Sequence, residues 1–224
     1  MIVIITPCSA RKNDSVPIGA GSKVIQPSDY LDDDSLIFAL QNTRRIVLEN
    51  PKACIGDKET YAFDLYTLAG NVYRVIRESG RQQRIKSLLI SNNDIQWFFL
   101  SGGYGIIHAL EIAKKYQATF SQGIAYQKGI PYTANLWRSS LSSICDAVFS
   151  KFQPEWVYVF GSRDYTDFVK RTDFWRTKSN IKMFESTGSS GPYWLAPKLN
   201  ELIEAIFENC IEKFDAKYKK FTKQ

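Results

Sequence analysis

Met1-Ile-Val-Ile-Ile-Thr6, followed at once by Pro7-Cys8-Ser9, decides how the rest of the chain is read. The run is β-branched and apolar without polar alternation, and proline stops it. A strand that tolerates apolar side chains on both faces is a buried one, central in a parallel sheet. Outward from it, Ile95-Gln-Trp-Phe-Phe-Leu100, entered through Asn92-Asn93-Asp94, and Trp156-Val-Tyr-Val-Phe160, entered after Pro154, have the same character, and Ile181-Lys-Met-Phe184 is expected as a short last strand. Between them the apolar spacing turns helical: Leu36 to Val47, Phe63 to Ile76 after Thr60 with a stop at Ser79-Gly80, and Leu136 to Phe149 after Thr133. A C-terminal basic helix is expected over about 197–220, opened by Pro197. Ile85 to Ile90 is apolar but fits helix or strand equally.

Parallel neighbours need long crossovers, which helices supply. The expected fold is therefore α/β: a doubly wound, mostly parallel sheet with helices on both faces, in a single domain spanning 1–224. The 44% hydrophobic content can fill the core of such a sandwich. The formal charge of +6 favours phosphate-bearing partners, although several lysines lie between Lys213 and Lys223 and read as a solvated helix end. No apolar run reaches the roughly 20 residues of a membrane span, and Met1 leads into the first strand without a basic flank, so no membrane association and a cytoplasmic location are expected. Cys8, Cys54, Cys145 and Cys210 form no Cys-x-x-Cys pair, and His108 is the only histidine. Free thiols, no metal site and no cofactor are the expectation.

Ligands of open parallel sheets bind beyond the carboxyl ends of the strands. The four expected exits are Pro7-Cys8-Ser9, Ser101-Gly102-Gly103, Gly161-Ser162 and the run Ser186 to Gly191, which includes Ser189; all are small and polar. They either make turns or open a site where free amides hold an anion or a carbonyl oxygen. Cys8 has Arg11 and Lys12 close by to favour a thiolate, and is either a nucleophile or an inert small hydrophobe. Tyr66 and Arg74, eight apart on one expected helix, either share a ligand-facing side or lie on the surface. The glycines around Tyr104, including Gly102 and Gly105, imply special backbone angles or a closely approaching ligand, with Tyr104 a candidate stacking residue. His108 and Glu111, three apart, are expected in the first turn of a following helix, as an acid and base pair or as caps. The 186–191 loop lacks the Lys-Ser/Thr ending of a P-loop, which excludes nucleoside triphosphate hydrolysis of that kind.

Thr6-Pro-Cys-Ser-Ala-Arg-Lys12, Leu65-Tyr-Thr-Leu-Ala-Gly-Asn-Val-Tyr-Arg74, Phe99-Leu-Ser-Gly-Gly-Tyr-Gly-Ile106 and Phe160-Gly-Ser-Arg-Asp-Tyr165, spread over roughly residues 1–170, together resemble the relatives of the YaaA peroxide-stress proteins. The resemblance implies nucleic-acid or nucleobase handling. Pro7, Cys8, Ser9 and Lys12 also resemble the Pro-Cys-Ser-x-x-Lys stretch of archaeosine synthase, which acts on the nitrile of 7-cyano-7-deazaguanine in tRNA; the Pro-Tyr that follows there is replaced by Asn13-Asp14. By this resemblance the chain is expected to be an enzyme of DNA modification. It would convert the nitrile of an inserted 7-cyano-7-deazaguanine to an amide through a Cys8 thioimidate, with Lys12, Ser9 or a backbone amide near Ser101 as donors and water as second reactant. The DNA base would be flipped out or single-stranded, and other deazaguanine-modification proteins would be its partners. Two alternatives stand beside it: a non-catalytic DNA-binding stress protein, and a glycosidase or transferase of N-glycosidic bonds that uses Glu111 or a nearby aspartate.

Overall fold

The computed structural model describes residues 1–188 and 191–223. Its strands are β1 (Ile2–Pro7), β2 (Glu59–Tyr61), β3 (Ile95–Ser101), β4 (Gly105–His108), β5 (Ile112–Lys114), β6 (Trp156–Ser162) and β7 (Ile181–Ser186). Its helices are α1 (Pro27–Tyr30), α2 (Asp34–Leu48), α3 (Ala62–Thr67), α4 (Arg74–Glu78), α5 (Gln82–Ser91), α6 (Gln122–Lys128), α7 (Ala134–Trp137), α8 (Leu141–Phe152), α9 (Arg163–Lys170), α10 (Asp173–Thr177), α11 (Gly191–Phe207) and α12 (Ile211–Lys217).

Five strands form the central sheet in the order β4-β3-β1-β6-β7, all parallel except the β4 edge. The expected α/β class holds, and β1 is the central strand. Because side chains alternate along a strand, Ile4, Trp97, Phe99, Tyr158 and Phe160 enter one buried layer, with Leu65, Ile76, Leu89 and Leu199. Val3, Ile5, Phe98, Leu100, Val157 and Val159 enter the other, with Leu40, Ile144, Val148 and Val169. Burial on both faces is why these strands read as continuous apolar runs. From β1 the chain crosses first to β3 on one side and later to β6 on the other, so the loop after β1 sits where the winding reverses, at the crevice such sheets offer to ligands.

Several elements differ from expectation. The single helix expected from Thr60 to Ile76 is instead β2, α3 and α4, interrupted at Gly70. A Cβ at Gly70 would lie 2.8 Å from the Tyr66 carbonyl oxygen and 2.9 Å from Ser9 Cβ, so the chain bends there to pass against the β1 exit. The stretch after Thr133 divides into α7 and α8, and Ile85 to Ile90 is helical. The last long helix starts at Gly191, carries Pro197 inside it, and ends at Phe207. The basic tail is not a free helix end: Phe221 packs on Phe184 with ring centroids 4.9 Å apart, Lys217 pairs with Glu201 at 2.6 Å, and Lys182 Nζ donates to Thr222 Oγ1 at 2.7 Å. His108 ends strand β4 and Glu111 follows in a turn, so the helix expected to carry both is absent. Among the described residues, no helix is long and apolar enough to cross a membrane.

Candidate active site

The β1 exit is fixed from three sides. The Cys8 amide donates to the Leu100 carbonyl at 2.6 Å, Trp97 Nε1 donates to Thr6 Oγ1 at 2.8 Å, and the Tyr73 hydroxyl donates to the Pro7 carbonyl. The half-buried Cys8 side chain opens into a cavity of about 570 Å³ that Lys12, Thr119, Asp164, Tyr165 and Ser186 also line. That size falls in the range of small-molecule sites. The exits of β1, β6 and β7 converge there, with Ser162 and Gly188 at the rim and Pro192 and Leu195 from the start of α11.

Cys8 Sγ lies 3.6 Å from the Tyr165 hydroxyl, which α9 presents directly after β6. Burial, followed by the nearby Cys8 thiol group, pushes the Tyr165 phenol well above its ordinary range and keeps it protonated. A neutral phenol in that position can donate to a thiolate. Lys12 Nζ donates to the Ser9 carbonyl at 2.8 Å and lies 4.1 Å from the Tyr116 ring centroid. Burial lowers the Lys12 ammonium; Cys8 opposes this, and Lys128 and Lys115 add to it. Beneath Lys12, Tyr116 and Ser101 share a hydrogen bond at 2.5 Å, and Tyr66 reaches both, at 3.3 Å to Ser101 and 3.2 Å to Tyr116. Burial first and Cys8 second raise both phenols, so this buried cluster is neutral.

Of the residues singled out from sequence, Cys8, Ser9, Lys12 and Ser162 line the cavity. Arg11 neighbours it on an exposed turn. Tyr66 and Ser101 support its floor through Tyr116. Ser189 lies outside the described residues. Gly161 and Gly191 admit protein rather than ligand: a Cβ at Gly161 would meet Tyr165 Cβ at 3.3 Å, and one at Gly191 would meet Ser186 Oγ at 2.6 Å. Arg74 does not share a face with Tyr66; it sits on α4, pairs with Glu78 at 3.3 Å and lies 5.6 Å from the Tyr193 ring.

The glycines after β3 likewise make room for the protein's own chain. A Cβ at Gly102 would lie 2.6 Å from the Thr119 amide nitrogen, and one at Gly105, where φ is +68°, would lie 2.5 Å from the Trp137 ring. Tyr104 is buried and takes no part in stacking a ligand: its hydroxyl accepts from the Lys114 amide at 2.7 Å. His108 and Glu111 do not line the cavity. His108 faces Phe98 across the β3–β4 ladder, three residues back from the Ser101 exit. Its Nδ1 accepts from the Leu110 amide at 3.1 Å and its Nε2 donates to Gln96 at 3.0 Å, with burial holding its pKa down to about 3. Glu111 is buried in an ion pair with Arg44, accepts from the Tyr30 hydroxyl at 3.0 Å, and belongs to the packing of β4.

Sequence reasoning missed Tyr116, Thr119 and Asp164 as lining or floor residues and did not assign Tyr165 a role. For Asp164 and Tyr165 a signal existed, since both follow the third expected strand within a few positions. Thr119 arrives from an irregular segment with no such mark. Among the described residues no cluster of three metal-ligating side chains occurs, and all four cysteines are free. No protein-family model, curated protein or solved structure matches the chain.

Proposed function

We propose that the chain is a cysteine-dependent enzyme that hydrates the nitrile of 7-cyano-7-deazaguanine held in DNA. The observation that carries this reading is the Cys8 thiol, 3.6 Å from the Tyr165 hydroxyl, opening into a base-sized cavity that Lys12 also lines. Val72, Leu195 and Ile124 give the cavity apolar walls suited to a flat heterocycle. Asp164, which makes no ion pair among the described residues, supplies an acceptor for the N–H donors of a guanine-type edge.

In this mechanism the thiolate, steadied by the Tyr165 hydroxyl, attacks the nitrile carbon. A C–S bond forms, one C–N π bond breaks, and the nitrogen takes a proton from the Lys12 ammonium, leaving a thioimidate. The neutral Lys12 amine, which burial favours, then removes a proton from water as hydroxide adds to the same carbon. The proton taken from water goes to nitrogen, the new hydroxyl gives its proton to the Lys12 amine and restores the ammonium, and the C–S bond breaks to release thiolate and amide. The sum is nitrile plus water giving amide, with no oxidation and no further reactant. A base in duplex DNA would first leave the stack.

The test is a single-stranded oligonucleotide carrying 7-cyano-7-deazaguanine, incubated with the protein, digested to nucleosides and weighed. The reading expects a gain of one water with the glycosidic bond intact, absent with Cys8→Ser. Loss of the base would indicate N-glycosidic cleavage, for which Asp164 is the cavity's carboxylate. An unchanged nucleoside on a strand the protein nevertheless binds would indicate a non-catalytic DNA-binding protein. Either result overturns the proposal, as does full turnover by Cys8→Ser.

A further inference from the structure

Helix α6 separates the Cys8 cavity from a second, open groove of about 600 Å³. Its sides are divided by helical spacing: Gln122, Ala125, Tyr126 and Gly129 face the groove, whereas Ser121, Ile124 and Lys128 face the cavity. Ile130, just beyond the helix, lines both. Across the groove α2 contributes Ile46 and Val47, and the following turn contributes Lys52. The two sites are also joined through the backbone, since the Gln117 amide at the cavity wall donates to the Ala53 carbonyl beside Lys52 at 2.6 Å.

Three features give this groove a chemical character. Tyr126 is 92% exposed, so among the described residues its ring is not packed into the fold, and Ile46 and Leu136 nearby are also exposed. Among the described residues no carboxylate lines the groove. Lys52 on its wall and Lys128 between groove and cavity make no ion pair among the described residues. An exposed aromatic with one unpaired cation on its groove and a second on the far side of the same helix is complementary to a polyanion whose unstacked bases present flat faces.

We propose that this groove binds the single-stranded nucleic acid that flanks the base held in the Cys8 cavity, with Tyr126 stacking a neighbouring base and Lys52 and Lys128 contacting phosphates. The inference rests on the reading that the cavity takes a base from a polynucleotide, and it adds where the strand runs. Helix α6 is then the ridge over which the strand passes, with Lys128 at the crossing.

The experiment measures binding of a fluorescein-labelled single-stranded oligothymidylate, which carries no reactive base, to the full-length protein by anisotropy across a range of salt. The wild-type protein should bind with an affinity that falls as salt rises. Tyr126→Ala, at a site too exposed to threaten folding, should weaken binding about tenfold. Lys52→Glu should weaken it and reduce the steepness of the salt dependence by roughly one phosphate contact. Unchanged affinity in Tyr126→Ala, or equal salt dependence in Lys52→Glu, would overturn the proposal. Cys8→Ser separates this from the chemistry: it should bind the oligothymidylate as the wild type does, while forming no amide on a strand that carries 7-cyano-7-deazaguanine. Retained turnover in Cys8→Ser would sink the thiol mechanism and leave the groove result standing.

Discussion

Cys8 and Tyr165, 157 positions apart in the chain, meet with sulfur and phenol oxygen separated by 3.6 Å, because β1 and β6 are parallel neighbours whose exits open on the same side of the sheet. The hydroxyl can donate to the thiolate, and hydrogen bonds to charged groups are among the stronger ones. Tyr165→Phe should therefore slow alkylation of Cys8 by iodoacetamide at neutral pH by about three- to tenfold. Peptide mass analysis separates Cys8 from the exposed Cys54. An equal or faster rate in the variant would show that the phenol does not stabilise the thiolate.

Gly102 and Gly123 should respond oppositely to alanine. At Gly102 the added carbon would lie 2.6 Å from the backbone nitrogen of Thr119, which has no flexible end to move aside. Gly102→Ala should cost about 2 kcal/mol or more. Gly123 lies in α6 with nothing within 4 Å of its Cβ position, and alanine there should add about 0.5 kcal/mol. Urea unfolding of both variants gives the comparison.

Glu111 is expected to matter for stability and not for chemistry. Glu111→Gln leaves the buried Arg44 guanidinium without its counter-charge and should destabilise the fold by about 3–5 kcal/mol. Replacing the pair together, as Arg44→Met with Glu111→Leu, should recover part of that loss. The alkylation rate of Cys8 in the folded Glu111→Gln protein should stay at the wild-type value. A selective loss of reactivity without loss of stability would return Glu111 to the active site.

His108 sets a pH dependence that can be read cleanly, since it is the only histidine. Burial depresses its pKa from 6.5 to about 3, so the folded state keeps the ring neutral while the unfolded chain takes up a proton. Its effect is absent above pH 6.5 and grows as pH falls toward 3, reducing stability by up to about 1.4 kcal/mol per pH unit in that window. His108→Asn, which keeps an acceptor toward Leu110, should show a flatter stability between pH 6.5 and 5 in urea titrations. Equal slopes in the two proteins would mean that the imidazole is not held neutral.

The expected strand runs at 95–100, 156–160 and 181–184 lie within the observed β3, β6 and β7, and the run at 1–6 coincides with β1 except for Met1. Long helical spacings did less well where a break depends on distant contacts. At Gly70, between α3 and α4, a side chain would meet Tyr73, the Tyr66 carbonyl and Ser9, and of these only Ser9 is remote in sequence. The antiparallel β4 edge escaped notice for a similar reason. His108 and Glu111 have a spacing that suits a helix turn, and only pairing with β3 makes 105–108 a strand that ends at His108 and leaves Glu111 beyond it.

What the residues fixed locally was the alternation of buried strands and amphipathic helices, and with it a loop after β1 that carries Cys8, Ser9 and Lys12 to the carboxyl side of a parallel sheet. Hydrophobic burial over short windows is enough for that. Tertiary structure alone decided which glycines face protein instead of ligand, that Glu111 answers Arg44, and that Tyr165, Thr119 and Asp164 close around the thiol. Apart from Gly161 and Gly191, which meet Tyr165 and Ser186 close by in the chain, those outcomes depend on contacts between segments 17 to 157 residues apart. Their energies arise from packing and hydrogen bonding that exist only once the sheet has chosen its strand order.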